Sequence, residues 1–359
     1  MHLRQLWLTD FRSYHEADVT FDPGLTVVVG PNGHGKTNLL EAIGYLALLG
    51  SFRGAPNDAL IRAGADRAIV RAEGTREGRS LLLEAELSAT GRYRAQVNRQ
   101  PLRRARDLLG ALRVTVFAPD DLALVKGGPG ERRTDLDDAL VALHPRYDQL
   151  RSDLDRVLRQ RAALLKGAGG RLNAEIELTL DVFDAKLTEA GERLARARAG
   201  LVAELGPVLA AAYDQVARTA ADVTARYEPP WLEGGLAAAL LAARRDDLRR
   251  GITTVGPHRD ELDLAIGGLP ARTHASQGEQ RSLALALRLA AHAVITAQTG
   301  TPPVLLLDDV FSELDPERTE ALVASLPSGQ TVLSTAGAVP TGTTPGRILR
   351  VRDGIVTPD

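Results

Sequence analysis

One glycine-rich stretch constrains this chain more than any other. Residues 30–37 read Gly-Pro-Asn-Gly-His-Gly-Lys-Thr, the pattern G-x-x-x-x-G-K-T, and the apolar residues 25–29 lead directly into it. Helical spacing follows at residues 38–43, so the order is strand, glycine loop, helix. In that context backbone N–H groups and the helix N-terminus surround phosphate oxygens. The sequence therefore predicts a nucleoside triphosphate site.

The residue types in this loop have separate tasks. Lys36 is expected to reach the β- and γ-phosphates, and the hydroxyl of Thr37 is expected to bind Mg²⁺. The residues predicted to surround the phosphates are Gly30, Pro31, Asn32, Gly33, His34, Gly35, Lys36, Thr37 and Asn38.

Composition limits the other possibilities. The chain has 359 residues, 44% of them hydrophobic and 25% charged, which is typical of a globular protein with two domains or one domain with an insertion. It has no cysteine, which excludes disulfides, thiolate zinc sites and cysteine nucleophiles. The net charge is −2, so any affinity for nucleic acid must come from a local patch. Without a signal peptide or a membrane-length apolar run, we expect a cytoplasmic protein with no membrane partner.

A second part of the predicted site lies near residues 304–309, which read Val-Leu-Leu-Leu-Asp-Asp. The Mg²⁺ side of a phosphate-loop site needs a buried parallel strand that ends in a carboxylate. We expect Asp308 to hold the metal and Asp309 to orient or deprotonate the attacking water. Many strands end in aspartate, but two flanking segments strengthen this reading. They are Ser-Gln-Gly-Glu-Gln-Arg at 276–281, which opens a helix, and Ser-Glu-Leu-Asp at 312–315.

Together these segments resemble the Walker A, signature, Walker B and D-loop motifs of ABC-type ATPases. In that family the signature serine, here Ser276, and the helix start at Gly278 cap the γ-phosphate bound by a second subunit, because a helix N-terminus attracts anions. The resemblance implies ATP and Mg²⁺ as cofactors and an ATP-dependent homodimer. It also implies that Lys36, Ser276 and Asp309 are the catalytic residues.

The spacing of the motifs narrows the resemblance. Roughly 270 residues separate the Walker A and Walker B segments. A large helical insertion is the pattern of the chromosome-maintenance and double-strand-break-repair (SMC-like) ATPases. The predicted fold class is α/β: an ABC-type ATPase head, with mixed sheets and a phosphate-loop helix, that carries an inserted all-helical lobe. The predicted boundaries are 1–125 for the N-terminal part of the head, 126–250 for the lobe and 251–359 for the C-terminal part.

Apolar periodicity predicts the content of the lobe. Apolar residues from 172 to 208 step by threes and fours, which predicts a long helix that is interrupted near Gly206-Pro207. A preceding helix is expected to stop at the glycines of residues 167–170, so that the two form a hairpin.

Three further segments are similar to the RecF family of bacterial recombination mediators: Leu-Thr-Asp-Phe-Arg-Ser-Tyr at 8–14, Phe-Ala-Pro-Asp-Asp-Leu at 117–122 and Gly-Pro-His-Arg-Asp at 256–260. This resemblance covers nearly the whole chain. It implies a weak ATPase whose ATP-bound dimer engages gapped, single-stranded or double-stranded DNA. It also implies action with RecR and RecO to load recombinase during repair and replication, and a contact of Arg12 with phosphate or adenine.

The chain also departs from the ABC-type pattern. Asp309 replaces the glutamate of fast ABC-type ATPases, and its shorter reach predicts slow hydrolysis. The switch histidine of transporters is missing near residues 331–335, where Ser334 and Thr335 are the candidates to replace it. Gln96 and Gln100 are the candidates, by elimination, for the Q-loop glutamine.

Six arginines and no acidic residue occur between positions 92 and 106. This excess suits a phosphate backbone, and we expect Arg99, Arg103, Arg104 and Arg106 to bind DNA. The alternative is a solvated face in an arginine-rich protein.

Several readings remain open. The 256–260 segment either faces a dimer seam or phosphate, or is a turn tied by an Arg259–Asp260 pair. Competing functions are the ATP-binding subunit of a transporter, a soluble small-molecule kinase and a non-hydrolysing ATP-dependent scaffold.

Overall fold

The computed structural model describes residues 2–313 and 316–359. Its strands are β1 (His2–Phe11), β2 (Tyr14–Thr20), β3 (Leu25–Val29), β4 (Arg67–Arg76), β5 (Arg79–Ser88), β6 (Arg94–Val97), β7 (Gln100–Pro101), β8 (Val114–Phe117), β9 (Val223–Arg226), β10 (Asp263–Ile266), β11 (Leu269–Pro270), β12 (Val304–Asp308), β13 (Thr331–Thr335), β14 (Arg347–Arg352) and β15 (Ile355–Pro358). Its helices are α1 (Lys36–Leu48), α2 (Ala123–Lys126), α3 (Pro129–Leu143), α4 (Arg146–Ala168), α5 (Ala174–Ala217), α6 (Leu236–Arg250), α7 (Ala271–His274), α8 (Gln277–Thr299) and α9 (Pro316–Ser325). None of these helices is long and apolar enough to span a membrane.

The chain divides into two compact units. The first contains Met1–Leu122, Ala211–Ala221 and Gln277–Asp359, and the second contains Ala123–Ala210 and Asp222–Ser276. The second unit thus extends to Ser276, whereas we placed the end of the insertion at residue 250. It also carries a three-stranded sheet of order β11-β10-β9, so it is not purely helical. Local periodicity misses such a sheet because β9 is four residues long and its partner β10 comes far later in the chain.

A largely parallel sheet in the first unit positions the phosphate loop. Its order is β15-β14-β3-β13-β12-β8, and only β15 runs antiparallel to its neighbour. Every residue of β12 and β13 is buried, as the unbroken apolar run at 304–307 indicated. Only β13 separates β3 from β12 in this order, so the carboxyl ends of β3 and β12 lie at the same edge of the sheet.

An antiparallel sheet of order β2-β1-β4-β5-β6-β7 completes the first unit. Alternate residues are buried, among them Leu6 and Leu8 on β1 and Val70 on β4. These side chains belong to one apolar cluster that also contains Leu39 and Ile43 of α1. The helix that follows the phosphate loop is therefore fixed by the core of this unit.

In the second unit the predicted turn between two long helices is confirmed. Helix α4 ends at Ala168, and Gly169 follows with a φ of 56°. The predicted break at Gly206-Pro207 is wrong, because α5 continues from Ala174 to Ala217 with Pro207 inside it. A proline inside a helix costs about 3 kcal/mol. Burial of Leu205 and Leu209 offsets this cost, which local sequence rules do not include.

Candidate nucleotide site

The phosphate loop lies between β3 and α1 and is held by neighbouring segments. Gly35 has a φ of 117°, and its carbonyl accepts a 2.9 Å hydrogen bond from the hydroxyl of Tyr14. A Cβ at Gly35 would lie 2.9 Å from the Ser13 hydroxyl, and one at Gly30 would lie 2.2 Å from the carbonyl oxygen of Val351. Glycine is therefore required at both positions for the loop to keep this path.

Lys36 is folded into the loop. Its ammonium donates to the carbonyl of Pro31 at 3.1 Å and to the side-chain oxygen of Asn32 at 3.2 Å. Burial lowers the pKa of Lys36, while the nearby carboxylates of Asp309 and Asp308 oppose that shift. The ammonium is thus held by two neutral oxygens of the loop itself.

Asp308 joins the loop to the second half of the site. Its Oδ1 accepts from the Thr37 hydroxyl at 2.9 Å and from the Ser334 hydroxyl at 2.7 Å. Burial raises the pKa of Asp308, and both hydrogen bonds oppose the shift. The carboxylate is therefore buried, and the charge of Arg53, which also opposes the shift, does not outweigh its desolvation.

These residues fit Mg²⁺, which prefers oxygen ligands and is usually held by one or two protein groups together with phosphate oxygens and water. Thr37 and Asp308 supply a hydroxyl and a carboxylate within hydrogen-bonding distance of each other. Among residues 2–313 and 316–359 there is no group of three or more His, Cys, Asp or Glu side chains able to hold a metal. An ion bound here would therefore need oxygens from phosphate.

Asp309 has an unusual backbone and an unsatisfied side chain. Its φ is 48°, and its N–H lies 3.2 Å from the carbonyl oxygen of Ser334 and 3.1 Å from the Ser334 hydroxyl. Its own carbonyl accepts from the Ser312 hydroxyl at 2.7 Å. Oδ1 of Asp309 is buried and has no hydrogen-bond partner in the described part of the chain. A buried acceptor of this kind suits the predicted role of binding a water, which stays a prediction.

Comparison with known proteins identifies the family. The family model described as RecF/RecN/SMC N terminal domain matches residues 2–333. Among curated relatives, the DNA replication and repair protein RecF of Streptomyces avermitilis is 48% identical over an alignment of 352 positions, which covers 94% of this chain and 93% of that protein. The chain belongs to the RecF family. RecF of Kineococcus radiotolerans is 46% identical, with 95% of this chain and 93% of that one covered.

Solved structures agree with this assignment. The recombination mediator protein RecF–ATP, described as part of the RecFOR pathway, superimposes with a TM-score of 0.91 at 27% identity, over 100% of this chain and 97% of that one. An Smc head bound to the C-winged helix domain of ScpA shares the fold, with a TM-score of 0.59 at 18% identity over 100% of this chain and 97% of that one. The predicted ATPase-head fold is confirmed.

Arg12, expected from the RecF family resemblance to contact the nucleotide, has a structural partner. Its guanidinium binds both carboxylate oxygens of Glu41, at 2.7 and 2.9 Å, and donates to the carbonyl of Ala59 at 2.9 Å. Glu41 is fully buried on α1. The sequence analysis did not predict this pair. Its signal in the sequence is Glu41, an acidic residue within the otherwise apolar run at 39–43. A contact between Arg12 and a nucleotide stays a prediction.

Two other loop residues contact neighbouring turns. The Asn38 amide donates to the Ser13 hydroxyl at 2.9 Å, and His34 Nδ1 lies 2.9 Å from the Asp353 carboxylate. These contacts tie the loop to its neighbouring segments. The contacts of His34 and Asn38 with phosphate stay predictions.

The signature segment begins α8. Ser276 is exposed and immediately precedes the helix. At Gly278 a Cβ would lie 2.7 Å from a guanidinium nitrogen of Arg318 on α9, so glycine leaves room for that cation. Sequence reasoning missed Arg318, which has no motif of its own. The predicted D-loop residues Leu314 and Asp315 lie outside the described residues.

The Gly-Pro-His-Arg-Asp segment, one of those that indicated the RecF family, is a structural element of the second unit. Asp260 accepts from the Tyr227 hydroxyl at 2.6 Å and from the Trp231 indole N–H at 2.8 Å. Arg259 donates instead to the carbonyl of Thr253 at 3.1 Å. The Arg259–Asp260 pair that we considered is therefore not what ties this turn.

The four arginines predicted to bind DNA are all exposed in the first unit. Arg99 lies in the turn between β6 and β7, Arg103 and Arg104 follow β7, and Arg106 lies in the 3₁₀ turn Ala105–Leu108. Exposure permits the predicted phosphate contacts, which stay predictions for this member of the RecF family. The two candidate Q-loop residues, Gln96 and Gln100, belong to β6 and β7.

Proposed function

We propose that this chain binds ATP with Mg²⁺ and acts, as an ATP-sandwiched homodimer with weak ATPase activity, as a switch on DNA in recombinational repair and replication. Its DNA is gapped, single-stranded or double-stranded, and its partners RecR and RecO act with it to load recombinase. The observation that supports this most is the hydrogen bond from Thr37 to Asp308. It brings the phosphate loop and the acidic strand together in the arrangement that ATP hydrolysis needs.

Each residue of the site has a role in this proposal. Lys36 binds the β- and γ-phosphates, and Thr37 and Asp308 hold Mg²⁺, which supplies charge neutralisation at the phosphates. Asp309 orients the attacking water through its unsatisfied Oδ1. Because an aspartate reaches less far than a glutamate, hydrolysis is slow, and the bound state lasts long enough to act as a timer.

Dimerisation completes the site in this proposal. Ser276 and the N-terminus of α8 from a second copy cap the γ-phosphate, since backbone N–H groups at a helix start attract anions. Arg318 adds a positive charge beside Gly278 on the same helix start. The exposed arginines around β7 then supply a phosphate-backbone contact for DNA.

The competing functions are less well supported. A transporter subunit does not account for the large second unit, and a small-molecule kinase does not account for Ser276 or Ser312. The non-hydrolysing scaffold differs from our proposal only in turnover, so a direct ATPase measurement decides between them.

Sedimentation tests the proposal. The protein is run with Mg²⁺ alone, with Mg²⁺ and ATP, and with Mg²⁺, ATP and a short gapped duplex. We expect a monomer, a dimer and a DNA-bound dimer, respectively. Ser276→Arg is expected to bind ATP as a monomer but not to dimerise, whereas the control Thr273→Arg, an exposed position on α7, dimerises normally. A wild-type monomer under all three conditions would refute the switch, and dimerisation of Ser276→Arg would refute the sandwich.

A further inference from the structure

A row of polar and aromatic side chains crosses the outer face of the antiparallel sheet. Trp7 on β1 is paired with Arg71 on β4, Arg71 with Glu84 on β5, and Glu84 with Gln96 on β6. Residues directly opposite each other in a sheet share a face. Since the neighbours of Trp7 on β1 are buried in the core, Trp7 lies on the other face, where it is only half-buried.

This row lines a cavity of about 380 Å³. Glu73 and Leu82, which are paired on the adjacent row, and Arg99 complete its lining. Its volume falls within the range of small-molecule and cofactor sites, about 300–1,000 Å³. A large aromatic side chain in a polar cavity on the outer face of a sheet offers a ring surface for stacking.

The turn that carries Arg99 is held in a rare conformation. Val97 pairs with Gln100, so Asn98 and Arg99 form a two-residue turn with φ values of 51° and 65°. Glycine is the usual residue at the second position of such a turn, because it has no Cβ. Asn98 is fixed to β5 by two hydrogen bonds with the backbone of Leu82, at 2.7 and 2.8 Å. The fold thus keeps a guanidinium at the cavity where a glycine would be less strained.

The charges of the cavity leave one cation unmatched. Arg71 donates to Glu84 at 2.6 Å, and Glu73 lies 3.6 Å from Arg4. In the part of the chain that the structure describes, Arg99 has no ion-pair partner. It also belongs to the exposed, acid-free arginine segment 92–106. A positively charged rim beside an aromatic ring is the combination with which proteins bind unpaired nucleotides.

We propose that this cavity binds an unpaired base of single-stranded DNA. The ring of Trp7 stacks on the base, the amide of Gln96 forms hydrogen bonds with the base edge, and Arg99 contacts the adjoining phosphate. A duplex cannot fill the cavity in this way, because its bases are stacked inside the helix. This inference rests on the proposed function, which it deepens by naming the form of DNA that this face recognises.

The experiment uses the full-length protein with Mg²⁺ and ATP, and an oligo-dT strand or a blunt duplex of the same length. Intrinsic fluorescence reports on the cavity because the chain has only two tryptophans, and Trp231 is buried against Asp260. We expect the single strand to quench the fluorescence of Trp7 and the duplex to leave it unchanged. Trp7→Ala should weaken single-strand binding by about 5- to 150-fold, as expected for the loss of one stacking contact. It should leave duplex binding unaltered.

Two further variants complete the design. Trp7→Phe retains an aromatic ring, so it should bind single strands within a few-fold of wild type while losing the quenching signal. Arg99→Gln should weaken single-strand binding, whereas the control Arg79→Gln, an exposed arginine of β5 that does not line the cavity, should not.

The outcomes separate this inference from the proposed function. If Trp7→Ala binds single strands like wild type while ATP-dependent dimerisation and duplex binding persist, the cavity assignment is overturned and the proposed function stands. Quenching by the duplex equal to that by the single strand would also overturn it. If the wild-type protein binds no DNA with ATP, both fail.

Discussion

The hydroxyl of Thr37 donates a 2.9 Å hydrogen bond to the carboxylate of Asp308, although 271 positions separate the two residues. The parallel sheet makes this contact possible, because only β13 lies between the strands that lead to them. Ser334 on β13 binds the same carboxylate oxygen. Three segments of the first unit therefore converge on one atom, which we propose as a ligand of Mg²⁺.

Replacing Lys36 by methionine should abolish ATP binding. The ammonium lies in the loop, and loss of charge-assisted hydrogen bonds to phosphate removes about 1–3 kcal/mol for each contact. Calorimetric titration with Mg²⁺ and ATP measures the effect. Lys186→Met is the matched control, because Lys186 is exposed on α5 and should bind ATP like wild type. Retained affinity in Lys36→Met would contradict the assignment of the loop.

Asp308→Asn should stabilise the protein without nucleotide and eliminate Mg²⁺-dependent ATP binding. Burial raises the pKa of Asp308, so its ionised form is disfavoured by the fold, whereas an asparagine carries no charge and its oxygen can still accept from Thr37. We expect the free energy of unfolding to rise by about 0.5–2 kcal/mol in urea titrations at neutral pH.

The exposed Asp359 provides the control for this variant. Its pairing with Arg350 lowers the pKa of Asp359, so Asp359→Asn should give no gain in stability. A destabilised Asp308→Asn protein would contradict the premise that burial of the Asp308 charge lowers the stability of the fold.

Asp309→Asn should lower the steady-state ATPase rate by about 100-fold, the range expected for the loss of one general base, while ATP affinity is kept. Asn can still occupy the left-handed conformation that this position requires. Ser325→Ala, on α9 and outside the site, controls for general effects on folding. Unchanged turnover in Asp309→Asn would contradict the proposed role of Asp309 in orienting the attacking water.

Replacing Arg103, Arg104 and Arg106 together by glutamine should weaken DNA binding and make its salt dependence shallower. Each lost phosphate contact lowers the slope of log K against log salt by about 0.7–0.9. Fluorescence anisotropy over a range of salt concentrations measures both quantities. An equivalent change at Arg156, Arg159 and Arg171, which are exposed in the second unit, is the control. An unaltered slope in the first variant would move the DNA site elsewhere.

His258 should make the second unit sensitive to acid. Burial lowers the pKa of His258 to about 4, against an ordinary value of 6.5. The folded state therefore binds fewer protons than the unfolded state, so stability is complete above the ordinary value and is lost as the pH falls from 6.5 towards 4. This histidine alone should contribute a loss of about 2 kcal/mol between about pH 7 and pH 5.

Urea unfolding at the two pH values, applied to His258→Gln, tests this contribution. The variant should lose less stability on acidification than wild type, and the exposed His144→Gln should behave like wild type. His292, whose pKa burial also lowers to about 4, should retain its own effect in both variants. Identical pH dependence in His258→Gln and wild type would contradict the assignment.

The sequence by itself determined the phosphate loop, the acidic strand and the family. These features are short, contiguous patterns whose residues act through backbone geometry at fixed spacing. The residue types and their spacing are therefore enough to predict their chemical roles. Lys36, Thr37 and Asp308 could be named for this reason without any coordinates. The apolar run at 304–307 likewise identified a buried strand, because a strand covered on both faces needs no alternation.

Only the tertiary structure decided which distant residues meet. The pairing of Arg12 with Glu41, the position of Arg318 over Gly278 and the row that joins Trp7 to Gln96 depend on contacts between elements, which leave no periodic signal. Pro207 inside α5 shows the same limit, since burial along the helix outweighed a local rule. Local patterns specify local geometry, whereas packing selects among the arrangements that those patterns allow.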